Sequence, residues 1–169
     1  MKKKFKLIGT AVLVLLLLNP PPVFRPKRDA AVLGLTLPAL CLAGFLVSLA
    51  AAVTGSNSAE AVPSPSGLTG WIAAILLSLS TGFLEEAYFR VYLPQRILGL
   101  NLNRLSAFVI SGLVFALCHT YGGPWSFANA LLAAFVLSLA YIKSSSFLGI
   151  AVAHGLYNIF VFLTVTLEW

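Results

Sequence analysis

Long apolar runs separated by short polar clusters set the pattern of this chain. Ala30–Val53, Trp71 to about Leu93, Leu105–Tyr121, Phe127–Ile142 and Phe147–Leu167 are near the length that spans a bilayer; a helix needs about 20 mostly apolar residues to cross a core of roughly 30 Å. The pattern predicts an all-α, polytopic membrane helix bundle of about five to six transmembrane helices. The sixth candidate is Leu7–Leu18, a run of 12 residues behind the basic start MKKKFK. As a helix it reaches only about 18 Å. It therefore reads as a signal-peptide core, as a re-entrant or interfacial hairpin, or as a first span if Phe5 and Val23–Phe24 extend it. The adjoining NPPPVFRPKR holds no small-residue cleavage site, and its prolines end a helix. Two parts result: a basic N-terminal segment, residues 1–29, and a membrane core, residues 30–169.

Composition agrees. Charged residues are 9% and hydrophobic ones 59%, and mean hydropathy is +0.95, whereas soluble domains carry roughly a quarter charged residues. The net charge of +6 does not point to nucleic acid, because the basic residues cluster in short connections between apolar runs. Arg25, Lys27 and Arg28 precede Ala30; Arg96 and Arg104 lie between the third and fourth runs; Lys143 lies between the last two. The loops Thr54–Thr69 and Gly122–Ser126 contain no Lys or Arg. Basic connections stay in the cytoplasm, which predicts a multi-pass protein with its C-terminus outside. Residues 54–70, rich in Ser, Gly and Pro, form the single long exposed loop. Two cysteines, Cys41 and Cys118, make no disulfide framework. Neighbours on a helix point about 100° apart, which argues against a Cys118–His119 dyad.

Against this apolar background, GFLEEAYFRVYL at 82–93 places the two acids of the membrane runs side by side. An ionisable group at membrane depth costs upward of about 2.5 kcal/mol and normally faces a bundle interior or a wet cavity. Glu86 and Arg90, one turn apart, can form a structural ion pair. Glu85 points about 100° away and is not explained by that pair. The chain's two histidines, His119 and His154, also fall in apolar runs, with Phe115 and His119 spaced i,i+4 and His154 and Asn158 likewise. Interhelical hydrogen bonding is the bland reading of His154 and Asn158. Depth favours a site. Glu85 lies 16 residues before Asn101 and His119 lies 18 after it, so a hairpin at GLNLN brings them level, about 25 Å from the turn. His154 and Asn158 come after the Lys143–Ser146 turn by some 15–20 Å. A shared pocket below the cytoplasmic surface is expected. A carboxylate, two imidazoles and an amide can activate water against a carbonyl, with Glu85 as base and Asn158 donating to the oxyanion. Glu85, His119 and His154 also suit a zinc ion with an open position, so metal-free and zinc-dependent attack both stand.

Read in order, Glu85-Glu86-x-x-x-Arg90, Phe115-x-x-x-His119 and His154-x-x-x-Asn158 resemble the three motifs of the CPBP family of intramembrane proteases. That family includes the type II CAAX prenyl endopeptidases and bacteriocin-immunity proteins. The resemblance covers about Trp71 to Thr164 and implies an endopeptidase of a bacterial plasma membrane. Glu85, His119, His154 and Asn158 are then catalytic; Glu86, Arg90 and Phe115 are supporting. The implied partners are a membrane-anchored protein or peptide substrate, with C-terminal processing among the expected reactions, and the lipid bilayer. No cofactor is implied, and no nucleic acid. Val91 stands where the family often has Gly. A noncatalytic immunity or assembly factor that keeps the pocket for binding is the alternative from another class. The substrate, its cleavage site and the oligomeric state are not readable from the sequence.

Overall fold

The structure is a computed structural model that describes residues 24–56 and 65–166. Leu7–Leu18 lies outside the described residues. Five helices are present among them: α1 Pro26–Val53, α2 Gly67–Leu98, α3 Arg104–Leu117, α4 Gly123–Ser144 and α5 Phe147–Thr166. No strand occurs among the described residues. Four stretches are long and apolar enough to cross a membrane, containing α1, α2, α4 and α5.

The fifth helix differs from expectation. The Leu105–Tyr121 run reads as helical throughout, but α3 ends at Leu117 after 14 residues. At about 1.5 Å per residue it is only some 21 Å long. Its end is set by the next residues in the chain, a 3₁₀ turn at Thr120–Gly122, then Gly123 at φ 84 and Pro124. A positive φ is cheap only for glycine. His119 therefore lies beyond the helix, not within it. The opposite ends of the hairpins are cleanly capped: Asn101 takes φ 61 in the α2–α3 turn, the Asn103 side chain accepts from the Ser106 N–H at 2.8 Å, and Ser145 takes φ 51 after α4.

Around the bundle α2 packs on α5, α5 on α1, α1 on α4, α4 on α3, and α3 on the end of α2. Small residues let backbones approach closely in membrane bundles. The α2–α5 crossing shows this at Gly82, where an added Cβ would lie 2.5 Å from the Gly155 nitrogen, and at Gly155, where it would lie 2.9 Å from Leu79 Cα. Large apolar side chains such as Leu35, Phe45, Phe135 and Phe160 point outward, as lipid-facing residues do.

Of the seven Lys and Arg among the described residues, six gather at one end: Arg25, Lys27 and Arg28 before and in α1, Arg96 and Arg104 at the α2–α3 turn, and Lys143 at the end of α4. The seventh, Arg90, is buried. At the basic end Arg104 donates to the Ile142 carbonyl at 3.3 Å, and Ser146 Oγ donates to the Asp29 carboxylate. The opposite end carries no Lys or Arg among the described residues.

Candidate active site

The helix containing the two glutamates is not regular. Past Glu86 it widens into a π-helical turn over Ala87–Tyr92, in which the Leu93 N–H reaches back five residues to the Tyr88 carbonyl. The next bond of that ladder would run from residue 94 to the Phe89 carbonyl, but Pro94 has no N–H. Phe89 O accepts from Ser111 Oγ of α3 instead, at 2.6 Å. Such π turns are uncommon and recur at functional sites. Here the turn carries Arg90, and it is pinned to the neighbouring helix.

Glu86 points into the protein and its side chain is fully buried. One carboxylate oxygen lies 3.2 Å from Arg90 Nε, and the other lies 2.9 Å from His154 Nδ1 of α5. The Arg90 contact is ionic without good hydrogen-bond alignment, and the guanidinium finds no hydrogen-bond acceptor among the described residues. It lies over the Phe115 ring, 5.2 Å from the centroid, an arrangement that stabilises a desolvated cation. Glu85 faces a different way, is partly accessible, and has Oε2 3.6 Å from His154 Nε2. His154 therefore stands between the two carboxylates, one ring nitrogen toward each. The carboxylate of an ionised Glu86 can only accept, so it fixes the proton on His154 Nδ1 and turns Nε2 toward Glu85.

His119 reaches the same place from just beyond α3. Its Nδ1 lies 2.8 Å from the Phe115 carbonyl; a carbonyl only accepts, so Nδ1 carries the proton and Nε2 is left as an acceptor. Phe115 is the common support. Its ring lies 4.6 Å from that of His119, 5.9 Å from that of His154 and 5.1 Å from that of Phe89. Glu85, His119, His154 and Asn158 all line one cavity of about 390 Å³, and Phe115 forms part of its wall. The sequence thus picks out residues that the fold brings together.

Two expectations change. Glu86 is tied to His154 as well as to Arg90, a contact between helices 68 residues apart that helical spacing cannot reveal. The cavity does not lie toward the basic end. From Glu85 and His154 it runs to Leu77 on α2, Tyr121 in the turn before α4, Ser126 near the start of α4, and Val165 on α5. In the other direction Ala87, Phe147, Ile150 and Ala151 are buried, and the Phe83 and Phe147 rings pack 4.9 Å apart. Among the described residues no three His, Cys, Asp or Glu side chains are grouped so as to hold a metal ion. The Nδ1 atoms of His119 and His154 are held by the Phe115 carbonyl and by Glu86, which leaves Nε2 of each ring toward the cavity. Cys118 is exposed at the end of α3 and Cys41 is half-buried; both are free thiols.

Sequence reading misses the cavity's further polar residues: Ser78, Thr81, Ser126, Asn129 and Tyr157. Tyr157 donates to Asn129 Oδ1 at 2.9 Å, and its hydroxyl lies so close to Gly44 that a Cβ there would clash. Ser78 and Thr81 are detectable, since with Glu85 they take an i, i+3, i+7 spacing on one helix face.

Comparison with known proteins agrees with the motifs. The family described as type II CAAX prenyl endopeptidase Rce1-like matches residues 67–160, more than half of the chain. UPF0177 protein YxdF of Lactococcus lactis subsp. lactis is 36% identical over 90 residues, which are 53% of this chain and 46% of that protein. The matched stretch is thus about half the length of that relative. No solved structure matches. The motif residues, the site they build and the matched span together show that this chain belongs to the Rce1-like type II CAAX prenyl endopeptidase family.

Proposed function

We propose that the chain is a membrane endopeptidase in which Glu85 activates water to cleave a peptide bond of a membrane-associated polypeptide. The observation that carries this is the position of Glu85 on a cavity, 3.6 Å from a histidine whose far nitrogen is held by a second, buried glutamate. Glu85 takes a proton from water while His119 Nε2 accepts the water's other hydrogen. The water oxygen bonds to the scissile carbonyl carbon. The developing oxyanion receives a hydrogen bond from the Asn158 carboxamide, and His154, its proton on Nδ1, presents Nε2 as an acceptor to the proton that Glu85 has taken up. Collapse breaks the C–N bond, and the proton held by Glu85 passes to the leaving amine. No step runs through a metal; cleavage is expected to survive exhaustive chelation. Prenylated substrates do not follow from the family's name.

On the same reading the protein sits in a bacterial plasma membrane, the basic end in the cytoplasm and the C-terminus outside, in line with the gathering of Lys and Arg at one end. The test is a comparison of membrane-protein fragments in the native host carrying wild type, Glu85→Gln or His119→Ala. One or a few cleavage products should vanish in both variants while the variant proteins accumulate normally. Identical fragments in all three strains would sink the reading.

A further inference from the structure

We infer that the cavity beyond Glu85 is a peptide cleft opening toward the extracytoplasmic side, in which Ser78 and Thr81 bind the backbone of an exported, membrane-tethered polypeptide. This rests on the endopeptidase and topology readings above.

Direction comes from the walls. Every cavity residue on α2 besides Glu85 lies nearer the helix start, and on α5 the lining continues from His154 to Val165 near the helix end. Both lead away from Arg96, Arg104 and Lys143. On the basic side the way is closed by buried Phe147, Ile150 and Val91. A chain reaching Glu85 enters from the end without cations, which under the basic-inside rule is the outside.

Chemistry comes from the lining. Ser78, Thr81 and Glu85 form a polar stripe on α2 leading to the reacting position. Hydroxyls in apolar helices ordinarily bond back to a carbonyl three or four residues earlier, as Ser80 does to Leu76 O at 2.7 Å and Ser144 to Ala140 O at 2.6 Å. Ser78 and Thr81 make no such bond among the described residues, and both side chains face the cavity. Across from them Val161, Phe162 and Val165 form an apolar wall. Apart from Glu85 and the histidines, no ionisable acid or base of the Asp, Glu, Lys or Arg type lines the cleft. An extended segment with uncharged side chains fits: its amides meet hydroxyls on one side, and its side chains meet apolar surface on the other.

Two measurements test this. In a chain with Cys41→Ala and Cys118→Ser, Ser78→Cys or Lys143→Cys is exposed to a membrane-impermeant maleimide on intact cells and after lysis. Ser78→Cys should label on intact cells and Lys143→Cys only after lysis. Labelling of Ser78→Cys only after lysis, or in neither preparation, overturns the outward cleft. Next, the native cleavage product is quantified in Ser78→Ala/Thr81→Val. Loss of both hydroxyls should cut product formation roughly tenfold, while Ser78→Thr/Thr81→Ser, which keeps both hydroxyls, recovers much of it. Undiminished cleavage by Ser78→Ala/Thr81→Val overturns the binding role. If wild type and Glu85→Gln yield the same fragments, the endopeptidase reading fails, and the labelling still reports separately on the cleft.

Discussion

Glu85 and Glu86 are joined by one peptide bond and meet opposite surroundings, so the same substitution should act on them through different physics. Glu85 lies on the cavity, and Glu85→Gln removes a proton acceptor while leaving shape and packing in place. Cleavage should be lost with little change in the melting temperature of the detergent-solubilised protein. Glu86→Gln instead leaves the buried Arg90 guanidinium without its counter-charge. Removing one partner of a buried pair costs about 3–5 kcal/mol, and this variant should melt early or fail to accumulate. The double variant Glu86→Gln/Arg90→Met separates the two roles of Glu86. Its fold should recover, because an apolar side chain of similar size replaces the stranded cation. Its cleavage should stay low, because a neutral amide no longer fixes the His154 tautomer. Recovery of cleavage along with the fold would show that Glu86 is structural only.

At the scale of elements, the distance between Glu85 and His154 is set by the crossing of α2 and α5. Gly82 sits one turn before Glu86, and Gly155 adjoins His154. A methyl group at either would lie under 3 Å from the facing backbone, so Gly82→Ala or Gly155→Ala must push the helices apart. Overpacking of this kind costs about 1–3 kcal/mol, and a misplacement of about 1 Å at a reacting centre can cost 100-fold in rate. The expected outcome is a protein that accumulates, melts somewhat lower and forms at least tenfold less product. Gly34→Ala, where an added Cβ meets nothing within 4 Å, is the control and should match wild type in both. Much of this is legible in the chain. The apolar runs mark the helices, and counting residues from the GLNLN turn brings Glu85 level with His119. The crossing itself is not legible, because a glycine in an apolar run looks the same whether it faces lipid, as Gly34 does, or another backbone. The π turn is also hidden. Its cause combines a local signal, Pro94, with a distant one, Ser111, and only the fold brings them together.

Across the whole molecule, the site and its buttress are separable. Helices α2, α4 and α5, with Phe115 and the turn after α3, line the cavity, whereas α1 contributes no side chain to it. Instead α1 packs along α4 and α5. It is tied to them at the basic end, where the buried Asp29 carboxylate accepts from Ser146 Oγ and from the Arg25 N–H at 2.8 Å, and Ser146 Oγ in turn accepts from the Gly149 N–H at 3.2 Å. This tie lies far along the bundle from Glu85, beyond the buried Phe147 layer. It also joins residues on the two sides of the boundary at residue 30 drawn from the sequence. Asp29, the last residue of the basic N-terminal segment, is buried in the bundle. Ser146→Ala removes a donor to a buried carboxylate and an acceptor for Gly149, which should cost about 1–3 kcal/mol. Because α1 does not reach the chemistry, that loss is expected as a lower melting temperature with cleavage per folded molecule unchanged. The check is to measure thermal unfolding and product formation on the same purified sample at a temperature where both proteins are folded. A fall in cleavage beyond the fall in folded protein would mean that α1 transmits strain to the cavity, through the Gly44 and Tyr157 contact on its inner face.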